Sequence, residues 1–155
     1  MNGKTIQSPI GELTVVSDGE FVTHIYFHCE ATNEKIQRKD TPVLQAAAKQ
    51  LGEYFEGRRK TFDVPLKLSG GAFHKKVWEV MLAKVPFGST ISYSEIAKMA
   101  GNPKAARAVG AANNRNPIPI IVPCHRVVGK SGKLTGFRAG LDIKEKLLEL
   151  ERRKI

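Results

Sequence analysis

The run from Ile118 to Val128 constrains the fold of this chain more than any other segment. Ile118-Pro119-Ile120-Ile121-Val122 is apolar, Val127 and Val128 close the run, and between them stands Pro123-Cys124-His125-Arg126. So apolar a stretch builds a core, where three reactive side chains in a row serve no packing purpose. Their presence points to a thiol held in a buried pocket beside proton-handling groups. A thiolate is the strongest nucleophile among ordinary side chains, and a neighbouring cation or imidazole lowers its pKa from about 8.5. Composition alone also allows Cys124 to be a small buried hydrophobe and His125 a satisfied core histidine.

The first third of the chain supplies sheet. Lys4–Gln7 and Leu13–Ser17 flank a Ser8-Pro9-Ile10-Gly11 turn, and Asp18-Gly19 leads into a third strand, Phe21–Phe27. From Thr41-Pro42 the period lengthens: Val43, Ala47, Leu51 and Phe55 recur on one helical face, and Gly57 stops the helix. Residues 1–66 therefore read as a small sheet packed by one helix. Residues 67–71, ending Ser69-Gly70-Gly71, read as a linker, and 72–155 as a mostly helical second domain. The fold class is mixed α/β, of the α+β kind, and 155 residues suffice for two small domains.

In the second domain, Phe73, Val77, Val80 and Met81 give an amphipathic helix that Pro86-Phe87-Gly88 ends. Ser92 and Glu95 stand in capping-box spacing, so a helix begins there, runs to Ala100 and stops at Gly101. Asn102-Pro103 then caps and opens another helix, through roughly Asn113. Two short helices joined at a glycine, the second carrying Lys104 and Arg107, make a helix-turn-helix pattern. The second helix is odd for a reader of DNA. Ala105, Ala106, Ala108, Gly110, Ala111 and Ala112 leave it nearly bare, whereas a major-groove helix presents several long polar side chains. Either it packs closely on another helix, or it is a slim element pressed into a narrow groove with Arg107 as its long probe.

Charge favours a polyanionic partner. Residues 1–100 carry 13 lysines and arginines against 11 acids, while residues 101–155 carry 12 against 4. The basic excess therefore lies with the Cys-His segment, where neutralised phosphates would release counterions. No stretch approaches the roughly 20 apolar residues that span a bilayer. The N-terminus has no apolar signal-peptide core, and two cysteines do not make a disulfide framework, so a cytoplasmic location is expected.

The last helix, Ile143 to about Arg153, starts with Asp142 and Glu145 in capping-box spacing and buries Ile143, Leu147 and Leu150. At about 100° per residue, Glu151 falls at the edge of that stripe and Glu149 on the opposite side. Glu151 is thus the acid able to reach inward, and a semi-buried carboxylate needs a partner such as an imidazole. Cys124, His125 and Glu151 can be written as nucleophile, base and orienting acid. Neighbours in a strand face opposite ways, so contact between Cys124 and His125 needs a turn or a bridging water. A metal site is disfavoured: on a strand His24 and His28 lie about 13 Å apart with Cys29 on the other face. Gly129-Lys130-Ser131-Gly132-Lys133 lacks the spacing of a phosphate loop and reads as a connecting turn.

Several stretches together resemble one family. Ile91-Ser92-Tyr93, then Gly101-Asn102-Pro103-Lys104-Ala105-Ala106-Arg107-Ala108-Val109-Gly110, then Asn116 to Val128, and the Lys144–Glu151 helix are similar to the O6-alkylguanine-DNA alkyltransferases. The likeness is close over residues 73–151 and holds in outline for the N-terminal part, as the ribonuclease-H-like domain the family carries; the second domain would be winged-helix-like. The resemblance implies that Cys124 accepts the alkyl group of a damaged guanine in duplex DNA. It implies that His125, through a water and oriented by Glu151, forms the thiolate, and that Asn116 braces the turn. Tyr93 would crowd the target phosphate and donate a proton to the leaving base, and Arg107 would fill the gap left by the flipped nucleotide. Ser94, Asn102, Lys104, Ala105 and Ala106 would meet DNA in the minor groove, and Val127, Phe137 and Arg138 would line the substrate pocket. No metal or organic cofactor is implied, and a monomer is expected.

Departures matter as well. Phe137 stands where many members carry a tyrosine, so a hydroxyl contact is lost, and Arg138-Ala139 bears on which alkyl groups fit. The metal-binding regulatory domain of the transcription-activating relatives is absent from this sequence. Cys124 separates it from the non-catalytic alkyltransferase-like proteins, which lack the cysteine.

Overall fold

The computed structural model describes residues 1–28, 30 and 35–153; Cys29 lies outside them. The chain divides into two compact units, Met1–Leu68 and Ser69–Ile155.

In the first unit, β1 (Asn2–Ser8), β2 (Gly11–Ser17) and β3 (Val22–Phe27) form an antiparallel meander. A two-residue strand that sequence patterning missed, β4 (Gln37–Arg38), pairs parallel to β1 and sets the order β3-β2-β1-β4. The β2–β3 turn uses Asp18 as expected: its Oδ1 accepts from the backbone N–H of Glu20 and Phe21, and Gly19 takes φ +110°. Helix α1 (Pro42–Phe55) packs on the sheet; Thr41 Oγ1 caps it, accepting from Leu44 N at 3.4 Å.

The buried face of α1 is Leu44, Ala47, Gln50, Leu51 and Tyr54, while Val43 and Phe55 are only half-buried. Phe55 falls about 20° beyond the arc of the helix that these residues occupy, whereas Val43 lies within it but in the first turn, at the end of the helix. Segment 65–67 belongs to the sheet edge: Val22 N donates to Pro65 O and Lys67 N donates to Val22 O, at 2.9 and 3.0 Å.

The second unit holds α2 (Ala72–Lys84), β5 (Ile91–Ser92), α3 (Tyr93–Met99), α4 (Ala106–Asn114), β6 (Val127–Val128) and α5 (Leu141–Arg153). Helix α2 buries Val77 and Met81, with Phe73 and Val80 half-buried. It also buries Trp78, whose indole N–H donates to Ala112 O at 2.9 Å and so anchors α4. Ser92 Oγ caps α3 through Glu95 N, and Gly101 at φ +89° ends it. Gly101 N bonds Lys98 O and Asn102 N bonds Ala97 O, the paired bonds of a Schellman stop.

Helix α4 starts at Ala106, later than Asn102-Pro103 implied. Asn102 Oδ1 accepts from Lys104 N and so closes a separate turn first. Helix α5 starts at Leu141, which puts Asp142 inside the first turn rather than at the cap. Its buried residues are Ile143, Lys144, Leu147, Leu148 and Glu151, and Leu150 is half-buried. Among the described residues no helix is long and apolar enough to cross a membrane.

Candidate active site

The apolar run folds back on itself instead of forming a strand. Asn116 Nδ2 donates to Val122 O at 2.9 Å, its Oδ1 accepts from Ile118 N at 3.0 Å, and Val122 N donates to Ile118 O at 2.9 Å. The reversal puts Ile120 at φ +74°, a strained position for a β-branched residue, which costs about 1–3 kcal/mol. Buried Asn116, with both amide ends used, holds it there. The chain leaves this loop in a 3₁₀ turn, Cys124–Arg126, and then joins β6, paired in parallel with β5 as Ile91↔Val127 and Ser92↔Val128. That pairing sets β5, and with it the start of α3 at Tyr93, beside β6.

Cys124 is 3% exposed and His125 is fully buried. The turn releases the two side chains from opposite strand faces, but the imidazole turns to α5, not to the thiol. His125 Nε2 lies 2.6 Å from Glu151 Oε2. Glu151, 1% exposed, also accepts from Gly88 N at 3.1 Å and from Arg126 through two parallel bonds, Nε to Oε1 at 2.8 Å and Nη2 to Oε2 at 3.0 Å. A third Arg126 bond, Nη1 to Val85 O at 2.8 Å, completes the guanidinium, whose carbon also stands 5.8 Å over the Phe87 ring. Glu149, by contrast, is solvated and pairs with Arg153 one turn on.

The electrostatics follow from these contacts. Burial alone would raise the Glu151 carboxyl, but hydrogen bonds and charge from His125 and Arg126 overcome it and hold the group far below the ordinary carboxylate range. Burial lowers His125 more than Glu151 raises it, so the ring is neutral near pH 7. A neutral ring beside a carboxylate donates from Nε2, which leaves the lone pair on Nδ1. Nδ1 is buried and has no hydrogen-bond partner among the described residues. Burial pushes the Cys124 thiol up, against the opposing effects of the Asn116 hydrogen bond and the Arg138 and Lys144 charges. Near neutral pH the thiol is therefore protonated and the imidazole neutral, with its Nδ1 lone pair unpaired among the described residues.

Sequence reading missed two of these groups. Arg126, read in the sequence only as a cation next to His125, neutralises Glu151. Lys144 is fully buried in α5, and its Nζ donates to Val127 O at 2.6 Å and Thr135 O at 2.8 Å. It ties β6 to the loop before α5. The heptad-like polar pattern of α5 gave no sign that this lysine turns inward.

A cavity of about 380 Å³ is lined by Tyr93, Ala106, Arg107, Gly110, Asn114, Thr135 and Gly136, a size suited to a small molecule. Thr135 Oγ1 donates to Tyr93 Oη at 2.9 Å, which leaves the phenol's own proton free to be donated. Arg107 is exposed on α4, and Asn102 and Lys104 are exposed in the turn before it; Ser94, Ala105, Ala106 and Phe137 are half-buried, and Val127 is fully buried. Arg138 Nη1 donates to Asn114 O and Asn116 O at 3.2 and 2.8 Å, clamping the loop to the end of α4. Gly129 N bonds Lys133 O at 2.8 Å, so residues 129–133 are a closed turn.

Comparison with known proteins places this architecture. Residues 72–153 match the 6-O-methylguanine DNA methyltransferase DNA binding domain, and residues 1–68 match the ribonuclease-like domain of the same proteins. A methylated-DNA–protein-cysteine methyltransferase of Methanosarcina acetivorans is 51% identical over 150 residues, covering 94% of each chain. The constitutive methylated-DNA–protein-cysteine methyltransferase of Bacillus subtilis is 44% identical over 155 residues, covering 96% of this chain and 93% of its own. The crystal structure of Mycobacterium tuberculosis OGT in complex with DNA superposes with a TM-score of 0.93 at 45% identity, over 99% of this chain and 94% of that one. With both domains matched along nearly their whole length, the chain belongs to the 6-O-methylguanine DNA methyltransferase family.

Proposed function

We propose that this protein repairs duplex DNA by moving the alkyl group of an O6-alkylguanine, and of O4-alkylthymine where it is accepted, irreversibly to Cys124 Sγ. The observation that carries the reading is the buried Cys124 turn with neutral His125 locked onto the Glu151–Arg126 pair. A lesion inside the stack is out of reach of this sulfur, so the nucleotide must rotate out, at a cost of a few kcal/mol. Arg107, exposed on α4, fills the gap, and Tyr93 crowds the rotated phosphate. The bare face of α4 supports a minor-groove approach. That groove is about 6 Å wide and a helix about 10 Å, so only small side chains allow close contact as the groove opens. Ser94, Asn102, Lys104, Ala105 and Ala106 flank that approach.

The thiol proton passes through a bridging water to His125 Nδ1, and Glu151 stabilises the resulting imidazolium. Sulfur attacks the alkyl carbon in line, the S–C bond forms and the C–O6 bond breaks. Guanine leaves with a proton supplied through Tyr93, so the proton lost by the thiol is balanced by the one the base regains. A thioether has no reversal step here, and one monomer therefore serves one lesion. Burial holds the free thiol protonated, so a proton must leave Sγ before or during the attack. Incubation with a duplex containing O6-methylguanine is expected to add one methyl group, about 14 Da by atomic mass, to the peptide holding Cys124 and nowhere else. Turnover beyond one methyl per chain, or an unlabelled Cys124, would refute the proposal.

The pH profile offers a second check. His125 works as the neutral ring, and burial keeps its pKa below the ordinary 6.5. Single-turnover transfer is therefore expected to stay level down to pH 6.5, with its acid limb below that value. Stability follows the same sign. The depressed groups, His125 and Glu151, contribute stability that is present above their unfolded values of 6.5 and 4.5 and is lost as pH falls through their folded values. Chemical denaturation should show stability falling on the acid side of pH 6.5; a rise there would contradict the assignment.

A further inference from the structure

We propose that Asn113 is a specificity-determining residue whose side-chain amide, unpaired in the free protein, hydrogen-bonds the base that enters the neighbouring cavity. This rests on the alkyltransferase reading above. Asn113 lies in the last turn of α4 and is 8% exposed, yet neither its Nδ2 nor its Oδ1 has a hydrogen-bond partner among the described residues. The other buried side-chain atom found unpaired there is His125 Nδ1, which the chemistry uses. An asparagine kept for structure would look like Asn116, three residues on, whose amide is satisfied at both ends. A buried amide with no partner weakens the fold, and an apolar residue of the same shape would not.

Position supplies the ligand. Ala106, Arg107, Gly110 and Asn114 form the α4 wall of the cavity. At about 100° per residue these four span one arc of the helix, and Asn113, two turns after Ala106, lies about 20° beyond its edge. On its other side come Val109 and Ala112, both in the core. Asn113 thus sits where the cavity wall meets the core, and its backbone O accepts from Asn116 N at 3.3 Å, beside the residue that braces the Cys124 turn. A purine edge carries both donors and acceptors, and a carboxamide can answer either. The class of ligand is a purine base rotated from the duplex.

The test is Asn113→Leu, nearly isosteric and without the amide. Its melting temperature should equal or exceed that of the parent, its affinity for undamaged duplex should be unchanged, and single-turnover transfer from O6-methylguanine should slow about tenfold, the worth of one desolvated hydrogen bond. Should the leucine variant not fold, Asn113→Ala is read on the same scale. Transfer within about twofold of the parent in whichever variant folds, or a loss of transfer matched by loss of undamaged-duplex affinity, overturns the proposal. If the parent protein itself takes no methyl group, the alkyltransferase reading fails instead, whatever Asn113 does.

Discussion

A Cys124→Ala variant is expected to transfer no alkyl group while binding the lesion duplex within about threefold of the parent, because phosphate and groove contacts carry affinity. Sγ is the atom to which the new bond is made, and no substitution elsewhere supplies another. Under the proposed function the affinity comes from elsewhere: Arg107 and Lys104 are exposed on and before α4, while Cys124 is 3% exposed. The variant should fold, since losing one buried sulfur costs on the order of 1 kcal/mol. Mass spectrometry of the protein and a gel-shift titration decide the matter together. A residual stoichiometric methyl on the alanine variant would move the acceptor to another residue. A parent protein that binds the lesion but gains no mass would turn the reading to a lesion sensor.

Glu151→Gln should do the widest damage of any single charge change, because three functions meet at one carboxylate. It holds His125 Nε2 and neutralises Arg126, which is 6% exposed, and in the proposed mechanism it also stabilises the imidazolium. Glutamine leaves the guanidinium buried without an anion, a loss of about 3–5 kcal/mol when one partner of a buried pair is removed. Its amide also lets the imidazole take the wrong tautomer, and transfer should fall about 10²–10⁴-fold, the scale of general acid–base catalysis. Glu149→Gln, two residues away and solvent-exposed, removes one surface pair with Arg153 worth about 0.3–0.5 kcal/mol and should leave transfer unchanged. Urea denaturation and single-turnover rates on both variants provide the comparison. Equal rates for the two would mean that Glu151 does not govern His125. Arg126→Met, which strands the carboxylate instead, should destabilise on the same scale as Glu151→Gln.

The inward turn of Glu151 and the outward turn of Glu149 were legible because helical phase is a local property. Once Ile143 and Leu147 mark the buried stripe, the angle to residue 151 follows. The same logic missed Lys144, since a lysine beside Ile143 reads as solvated unless carbonyls from Val127 and Thr135 are known to face it. In α1 the phase gave Ala47 and Leu51 but left out Leu44, Gln50 and Tyr54, which lie on the same arc between the every-fourth positions or at its edge. Caps written within three residues, such as Ser92 with Glu95, held, because donor and acceptor are covalently close. Asn102 misled, because its side chain can close a turn as readily as open a helix, and here it accepts from Lys104 N before α4 begins.

What the sequence by itself determined is therefore the inventory and the local grammar. It showed a reactive thiol inside an apolar run, a basic second half, a sheet followed by helices, and a bare helix carrying Arg107. Its likeness to a known family then suggested what that inventory does. Only the tertiary structure decided how the Cys-His segment is wired. Glu151 gathers His125 from 26 residues away, Arg126 from 25 and the Gly88 amide from 63, while Arg126 reaches Val85 across 41. Contacts of that separation depend on the packing of whole elements, which no periodicity records. They bury His125, orient its ring through Glu151 and leave its Nδ1 unpaired among the described residues, the arrangement on which the proposed single transfer at Pro123-Cys124-His125-Arg126 rests.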